Sequence, residues 1–550
     1  MFSGNQVYHL IVRNTYFALT KISFMPIRMV DDPDDRSDNS NDNSGGGGGR
    51  FPGGGGGGGM LLPLLMLLIR KPILLVVVLA IGGFMYLRGG CSGMMSGDGN
   101  QQEAGFATGG VLDPRQFNKA EIYEGLDVGK NALPEAVSLE RFCPQRKDQG
   151  KQGSCVAWSS AYAARSILEA TSTGANPDQT AFSPSFMYNQ IGLDGCQGSY
   201  IIRAMENMTK VGAVPFNDFP YDENDCTRQP SGALKQEAAD HRMLGFTRLT
   251  DGDKINNIDL HAIKEHLAKD VPVVIGMMVG GSFMQGMMGQ EVWHPNDEDY
   301  SQMGFGGHAM CVIGYDDRKE GGAFQIMNSW GQAWGKNGIG WVKYNDFKRF
   351  VREAYGLNNM PKSGTAASEH LDCNIGLVHA KTKQYIPLRS NGGNVFSTVQ
   401  SLPKGTTFKM EVKNNIACYV YVLGMETDGS SYVLFPYPVK DDPSKTKFSP
   451  YCGITGYRLF PRGMSMQADS IGNKDYIAVI VSKEPLEIFD VNQKVNTNRS
   501  AGFAAAVQRA VRAQSISNVP FNSTPEGVIH FEATAAEKSA VVSIVEIEKQ

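Results

Sequence analysis

The sequence predicts an α+β fold for residues 133–362 and a mostly β domain after it. Behind the turn Gly153-Ser154-Cys155, the small and apolar residues Ala157, Ala161, Ala164, Ile167 and Leu168 recur at helical spacing, which predicts a helix with Cys155 in its first turn. Farther on, 309–315 and 323–327 are apolar runs of strand character. Beyond Lys362 the strand-like runs 407–412, 418–423, 431–435, 476–481 and 540–547 are separated by turn residues such as Asp428-Gly429, and one helix-like segment, 499–514, interrupts them. That pattern predicts a sandwich-like domain with a helix on one face.

At 550 residues the chain is too long for one core, and 41% hydrophobic with 20% charged residues is ordinary for globular protein. A net charge of −4 gives no sign of nucleic-acid binding. The unusual composition is at the N-terminus. Residues 1–59 include an acidic, Asn/Ser-rich stretch and two polyglycine tracts, which cannot bury enough apolar surface to fold and read as a tail. From Met60 to Leu87 the chain is almost wholly apolar, broken only by Arg70-Lys71-Pro72. Its second run is short against the ~20 residues a bilayer core requires, but a basic flank can snorkel, so one membrane anchor is expected. Arg50, Arg70 and Lys71 precede the span and Arg88 follows it; this bias places the tail in the cytoplasm and the rest on the periplasmic or extracellular side. Residues 88–132 then read as a tether and 363–368 as a linker to a domain over 369–550.

Chemistry concentrates in three segments. Gln149 stands six residues before Cys155, in Asp148-Gln149-Gly150-Lys151-Gln152-Gly153-Ser154-Cys155. A helix N-terminus favours thiolate over thiol, and a nearby imidazolium lowers the thiol pKa further. His308 follows the pair Gly306-Gly307 at the head of one strand-like run, and Asn328 ends the next, in Asn328-Ser329-Trp330-Gly331. Nucleophile, base and orienting amide thus occur in the order Cys, His, Asn.

This order, with these local motifs, resembles the papain-like cysteine peptidases over 133–362. The resemblance implies a two-lobed fold, one lobe helical and one barrel-like, and an enzyme that hydrolyses peptide bonds through an acyl-enzyme. It assigns Cys155 as nucleophile, His308 as base and then acid, Asn328 as the group orienting the imidazole, and Gln149 as oxyanion donor. Trp330 would shield the Asn–His bond. Gly195-Cys196-Gln197-Gly198-Ser199-Tyr200 is similar to the segment lining the substrate cleft, so Gly198, Ser199 and Tyr200 are expected to bind substrate, and Gly276 and Gly307 to build the main specificity pocket. Phe219-Pro220-Tyr221 matches a short motif after it.

Two departures stand out: Val156 replaces the aromatic residue that usually follows the nucleophile, and Ser199 replaces a glycine whose backbone pairs with substrate. Cys196 and Cys226 align with disulfide halves whose usual partners are Gln152 and Asn189 here. Either these two pair with each other or both are reduced, since nine cysteines make no disulfide scaffold.

The C-terminal domain, similar to an uncharacterised bacterial domain through 418–422 and 432–437, shows no catalytic constellation. His370, His379 and His530 lack ligand spacing, and His261 and His266 read as helix-surface residues. Neither metal nor cofactor is expected, since the polyglycine tract lacks the lysine of a phosphate loop. The expected partners are a peptide or protein substrate, the membrane, and a protein partner for the C-terminal domain. A silent peptide-binding receptor and a thiol transpeptidase or acyltransferase are the alternatives to hydrolysis.

Overall fold

The computed structural model describes residues 27–31, 106–250, 257–362, 369–439 and 442–550. The apolar span 60–87, the polyglycine tracts and the linker 363–368 lie outside them. Among the described residues no helix is long and apolar enough to cross a membrane.

The first lobe of the 133–362 region is helical. Cys155–Ala157 opens a continuous helical stretch that widens to π geometry over Trp158–Arg165 and returns to α over Ser166–Thr173. Cys155, Val156, Ala157, Ala161, Ala164, Ile167 and Leu168 are all buried, as the apolar spacing predicts. Pro184–Ile191 and Ile201–Lys210 pack beside it. Ser183 caps the first of these by accepting the Phe186 N–H, and Pro184 supplies the preset φ of a first helical residue.

The second lobe is an eight-stranded sheet ordered Phe246–Arg248, Val351–Leu357, Val273–Val279, Gly306–Asp316, Ala323–Met327, Ile339–Lys343, Val292–Trp293, with Ala136–Ser138 added to Gly306–Asp316. Its central strands read as continuous apolar runs because both faces are covered.

The C-terminal region is a sandwich of an eight-stranded and a seven-stranded sheet. Strand alternation divides its residues cleanly. Val420, Val422, Val479, Val481, Val541 and Val545 face a core shared with Cys373, Ile375, Leu377, Met410 and Val412 of the other sheet. Tyr421, Leu423, Ala478, Ile480, Val542 and Ile544 face outward, under the helices Ile488–Thr497 and Phe503–Ala510. The helix expected over 499–514 is therefore the second of a pair.

Three expectations need correction. Ile27–Asp31, read as part of an unfolded tail, adds an antiparallel strand to Met464–Ala468, with Ile27 buried in the sandwich core; pairing at a sheet edge needs backbone more than side chains. Within the expected tether, residues 106–131 are packed rather than spanning. Ile122 bridges Arg248 of the first region and Phe448 of the second, and the Arg458 Nε donates to the Glu124 carbonyl. His266 is buried against Tyr123, since this same segment covers the helix Leu260–Leu267. His370 and His530 also come onto paired strands, where both face Glu532.

Candidate active site

The Gln149 loop is shaped by a turn. The Asp148 Oδ1 accepts the Gly150 N–H at 2.8 Å, and Gly150 takes φ +62°. A side chain there would be strained and would run into the Glu223 carboxylate. The Gln149 side chain is held at both ends. Its Nε2 donates to the Gln152 carbonyl at 2.9 Å, and its Oε1 accepts the Ser329 hydroxyl at 2.6 Å. Ser329 therefore fixes which end of the amide faces which way. The backbone agrees, since the Gln149 N–H donates to the Ser329 carbonyl at 2.8 Å. Tyr221, from the expected short motif, donates to the Gln149 carbonyl at 2.7 Å and meets Ser154 Oγ at 2.7 Å.

His308 lies on Gly306–Asp316 and Asn328 just past the end of its antiparallel neighbour Ala323–Met327, which brings residues twenty apart in sequence into contact. The Asn328 Oδ1 accepts the Ser329 backbone N–H at 2.7 Å and faces His308 Nε2 at 2.8 Å. That oxygen can only accept, so Nε2 carries the proton and Nδ1, which has no hydrogen-bond partner among the described residues, keeps its lone pair. Trp330 stacks on the imidazole with centroids 4.3 Å apart. The Ala309 N–H donates to Cys155 Sγ at 3.4 Å.

Burial pushes the Cys155 thiol up to about 12, against the pull of backbone N–H groups from Ala309, Val156, Cys155 and Gly110. Burial also lowers His308 to about 4, opposed by its bond to Asn328. Both shifts oppose the ion pair expected from sequence, and burial is the larger cause of each. Residues 106–111 pack against this site. Trp330 Nε1 donates to the Ala107 carbonyl at 2.8 Å, and Phe106 stacks on the Trp330 ring. The Gly110 N–H reaches the Gly307 carbonyl, the Val111 N–H the Ser199 carbonyl, and the Ser199 N–H the Gly109 carbonyl, each at 2.9 Å. Gly198 packs so closely on Gly109 that a Cβ there would lie 2.3 Å from the Gly109 carbonyl oxygen.

The structure thus brings Cys155, His308, Asn328, Gln149, Trp330, Gly198, Ser199 and Gly307 together, with Gly276 beside Leu112. Tyr200 precedes the helix Ile201–Lys210 and holds the Arg203 guanidinium over its ring. Sequence reading missed Ser329 and the segment 106–112. The last had a signal in Gly109-Gly110, small residues able to lie close to another backbone. Cys196 and Cys226 are bonded to each other, with Cα atoms 6.0 Å apart. Among the described residues no group of three acidic, histidine or cysteine side chains could hold a metal ion.

A cysteine at a helix start, facing a histidine strand oriented by an amide from the next strand, defines the class of cysteine peptidases. Residues 135–364 match the model of the papain family cysteine proteases, and the chain carries a domain of that family there. An uncharacterized peptidase C1-like protein of Acanthamoeba polyphaga mimivirus is 29% identical over 231 residues, 40% of this chain and 69% of that one. Cathepsin K of Mus musculus is 27% identical over 250 residues, 45% of this chain and 68% of its own. Among solved structures, xylellain, a cysteine protease from Xylella fastidiosa, aligns with TM-score 0.38 and 21% identity over 48% of this chain and 100% of that one.

Proposed function

We propose that this chain is a membrane-anchored cysteine endopeptidase whose cleft is closed by residues 106–112 until they are displaced. The single observation that carries the chemistry is the Cys155, His308, Asn328 and Gln149 constellation. Once the lid leaves, water and substrate replace it, the desolvation that holds Cys155 and His308 neutral is relieved, and the proton moves from sulfur to Nδ1. The thiolate attacks the peptide carbonyl carbon and a C–S bond forms. Charge collects on the carbonyl oxygen, where the Cys155 N–H and the second Nε2 hydrogen of Gln149 contribute roughly 3 kcal/mol per donor. The imidazolium gives its proton to the leaving amine as the C–N bond breaks, and water then hydrolyses the thioester.

Latency is supported by the bonds the lid makes: it uses both backbone groups of Ser199, which are expected to pair with substrate. The anchor rests on the apolar residues 60–87 alone, and the outward placement of the enzyme on the basic residues before them. The packing of residues 120–131 against both folded regions supports a C-terminal domain that steadies the lid.

A thiol-directed epoxide tests the reading. Covalent labelling at Cys155, lost in Cys155→Ala, together with hydrolysis of an unstructured protein, is the expected result; hydrolysis that survives Cys155→Ala would refute it. For the anchor, the full chain should sediment with membranes and a chain lacking residues 60–87 should not. A full chain soluble without detergent would count against it.

A further inference from the structure

The C-terminal sandwich carries a lysine and an aspartate where its strand alternation calls for apolar residues. On Lys474–Ser482, Asp475 shares the inner face with Ile477, Val479 and Val481, and it stands opposite Ile547 of Ala540–Glu548. Lys549 continues that second strand by donating its N–H to the Asn473 carbonyl at 2.8 Å. It is therefore the diagonal neighbour of Asp475, within reach of a long side chain.

The Lys549 Nζ donates to Asp475 Oδ1 at 2.6 Å, to Asp469 Oδ1 at 2.7 Å and to the Ile471 carbonyl at 2.6 Å. The side chains of Lys549 and Asp475 are 0% exposed and that of Asp469 2%. Among the described residues Oδ2 of each aspartate has no hydrogen-bond partner. One amine thus faces two acids where burial removes the screening of solvent, and keeping all three ionised there is costly. The two acids differ. Asp469 Oδ1 also accepts the Ile471 N–H at 2.9 Å, a bond that favours its carboxylate. Burial raises the Asp475 carboxyl to about 6, opposed by Lys549 and helped by Asp469.

We propose that Lys549 and Asp475 condense to an intramolecular amide crosslink, with Asp469 as the proton acceptor. The Lys549 ammonium gives a proton to the Asp469 carboxylate, and the freed Nζ lone pair attacks Cγ of Asp475, which enters as the neutral acid. A C–N bond forms. Nζ then passes a second proton to the departing hydroxyl, the Cγ–O bond breaks and one water leaves. An amide and a protonated Asp469 remain, so no charge is left in the core. No atom is oxidised or reduced. The link joins positions 74 apart and ties the last strand of the chain to its neighbour in the sheet; like any covalent crosslink it restricts the unfolded chain. The proposal is independent of the peptidase chemistry.

Tryptic digestion of the full chain, reduced to open Cys196–Cys226, followed by mass spectrometry is the test. Trypsin does not cut after an acylated lysine, so the expected product is a branched peptide joining 475–483 to 539–550, about 18 Da lighter than the two pieces together because one water has left. Lys549→Met and Asp475→Ala should each abolish the branch. Asp469→Asn keeps both reacting groups and should leave most of the chain unlinked. The wild-type digest decides even where a variant fails to fold: separate linear peptides 475–483 and 539–549 overturn the crosslink. A branch that forms as fully in Asp469→Asn overturns the role of Asp469.

Discussion

Gly110 donates its backbone N–H to the carbonyl of Gly307, the residue before His308, at 2.9 Å. The same carbonyl receives the Gly109 N–H at 3.3 Å, and Ser199 holds the strand on its other side through Gly109 and Val111. Each such bond is worth only ~1 kcal/mol net. In the closed-cleft proposal these bonds, made within one chain, give residues 106–112 a high effective concentration against a free substrate.

Replacing Gly109 by valine should weaken this lid. A Cβ at that position would sit 2.1 Å from the Gly153 carbonyl oxygen, and backbone on both sides cannot yield as a flexible side chain would. The epoxide labelling rate of Cys155 should rise by about tenfold or more, the effect of losing one or two such bonds and their packing, while Gly129→Val, at an exposed site, leaves it unchanged. An unaltered rate in Gly109→Val would show that the lid does not limit access.

In the proposed mechanism the Gln149 donor acts on the developing oxyanion, so Gln149→Ala should lower kcat by roughly 10²–10³ with little change in KM. Ser329→Ala should give a smaller loss of the same kind, since it only holds the amide in place. Steady-state kinetics on a short fluorogenic peptide separates these; a loss confined to KM would contradict the oxyanion role.

The two burial shifts at the site set limits to stability on both sides of neutrality. Cys155 is raised from its ordinary 9.0, so its contribution is fully present below pH 9 and is lost as pH climbs toward 12. His308 is lowered from 6.5, so its contribution is present above pH 6.5 and is lost as pH falls toward 4. Denaturant titrations should therefore show the wild type losing stability above about pH 9 relative to Cys155→Ala. Parallel curves would mean that the thiol is not desolvated in the folded chain.

Glu124 offers a separate test at the contact between the two regions. It is buried between Arg458 and Arg462 on one side and the first region on the other, and burial raises it to about 7 despite both arginines. An acid with a raised pKa contributes stability that is full below 4.5 and fades as pH rises through 7. Glu124→Gln, neutral at every pH, should unfold at nearly the wild-type temperature in mild acid and gain on the wild type as pH rises from about 5 to 8. A constant difference across that range would place Glu124 in solvent.

Much of the site was legible because short-range chemistry wrote it. The turn Gly153-Ser154-Cys155, the helix start there and the strand-like runs at His308 and before Asn328 each follow from residues within a few positions. The role of Ser329 was not legible, since a serine beside the asparagine acquires meaning only when Gln149 is folded against it. The same holds for His266, which reads as a surface residue on an amphipathic helix until Tyr123 covers it. The core boundary also escaped local reading: Ile454 of the later region belongs to the first core, and Arg462 pairs with Asp259 at 2.6 Å.

The sequence by itself determined the helix start at Cys155, the strand-like runs that carry His308 and lead to Asn328, and the main strands of the sandwich with a helical segment, because periodicity and turn residues act over a few positions. Only the tertiary structure decided that residues 106–111 pack against Trp330, Gly307 and Ser199, that Cys196 meets Cys226, and that Leu112 lies beside Gly276. Those are contacts between segments tens to hundreds of residues apart, and no local pattern encodes which distant backbone will meet a glycine that has no side chain to keep it away.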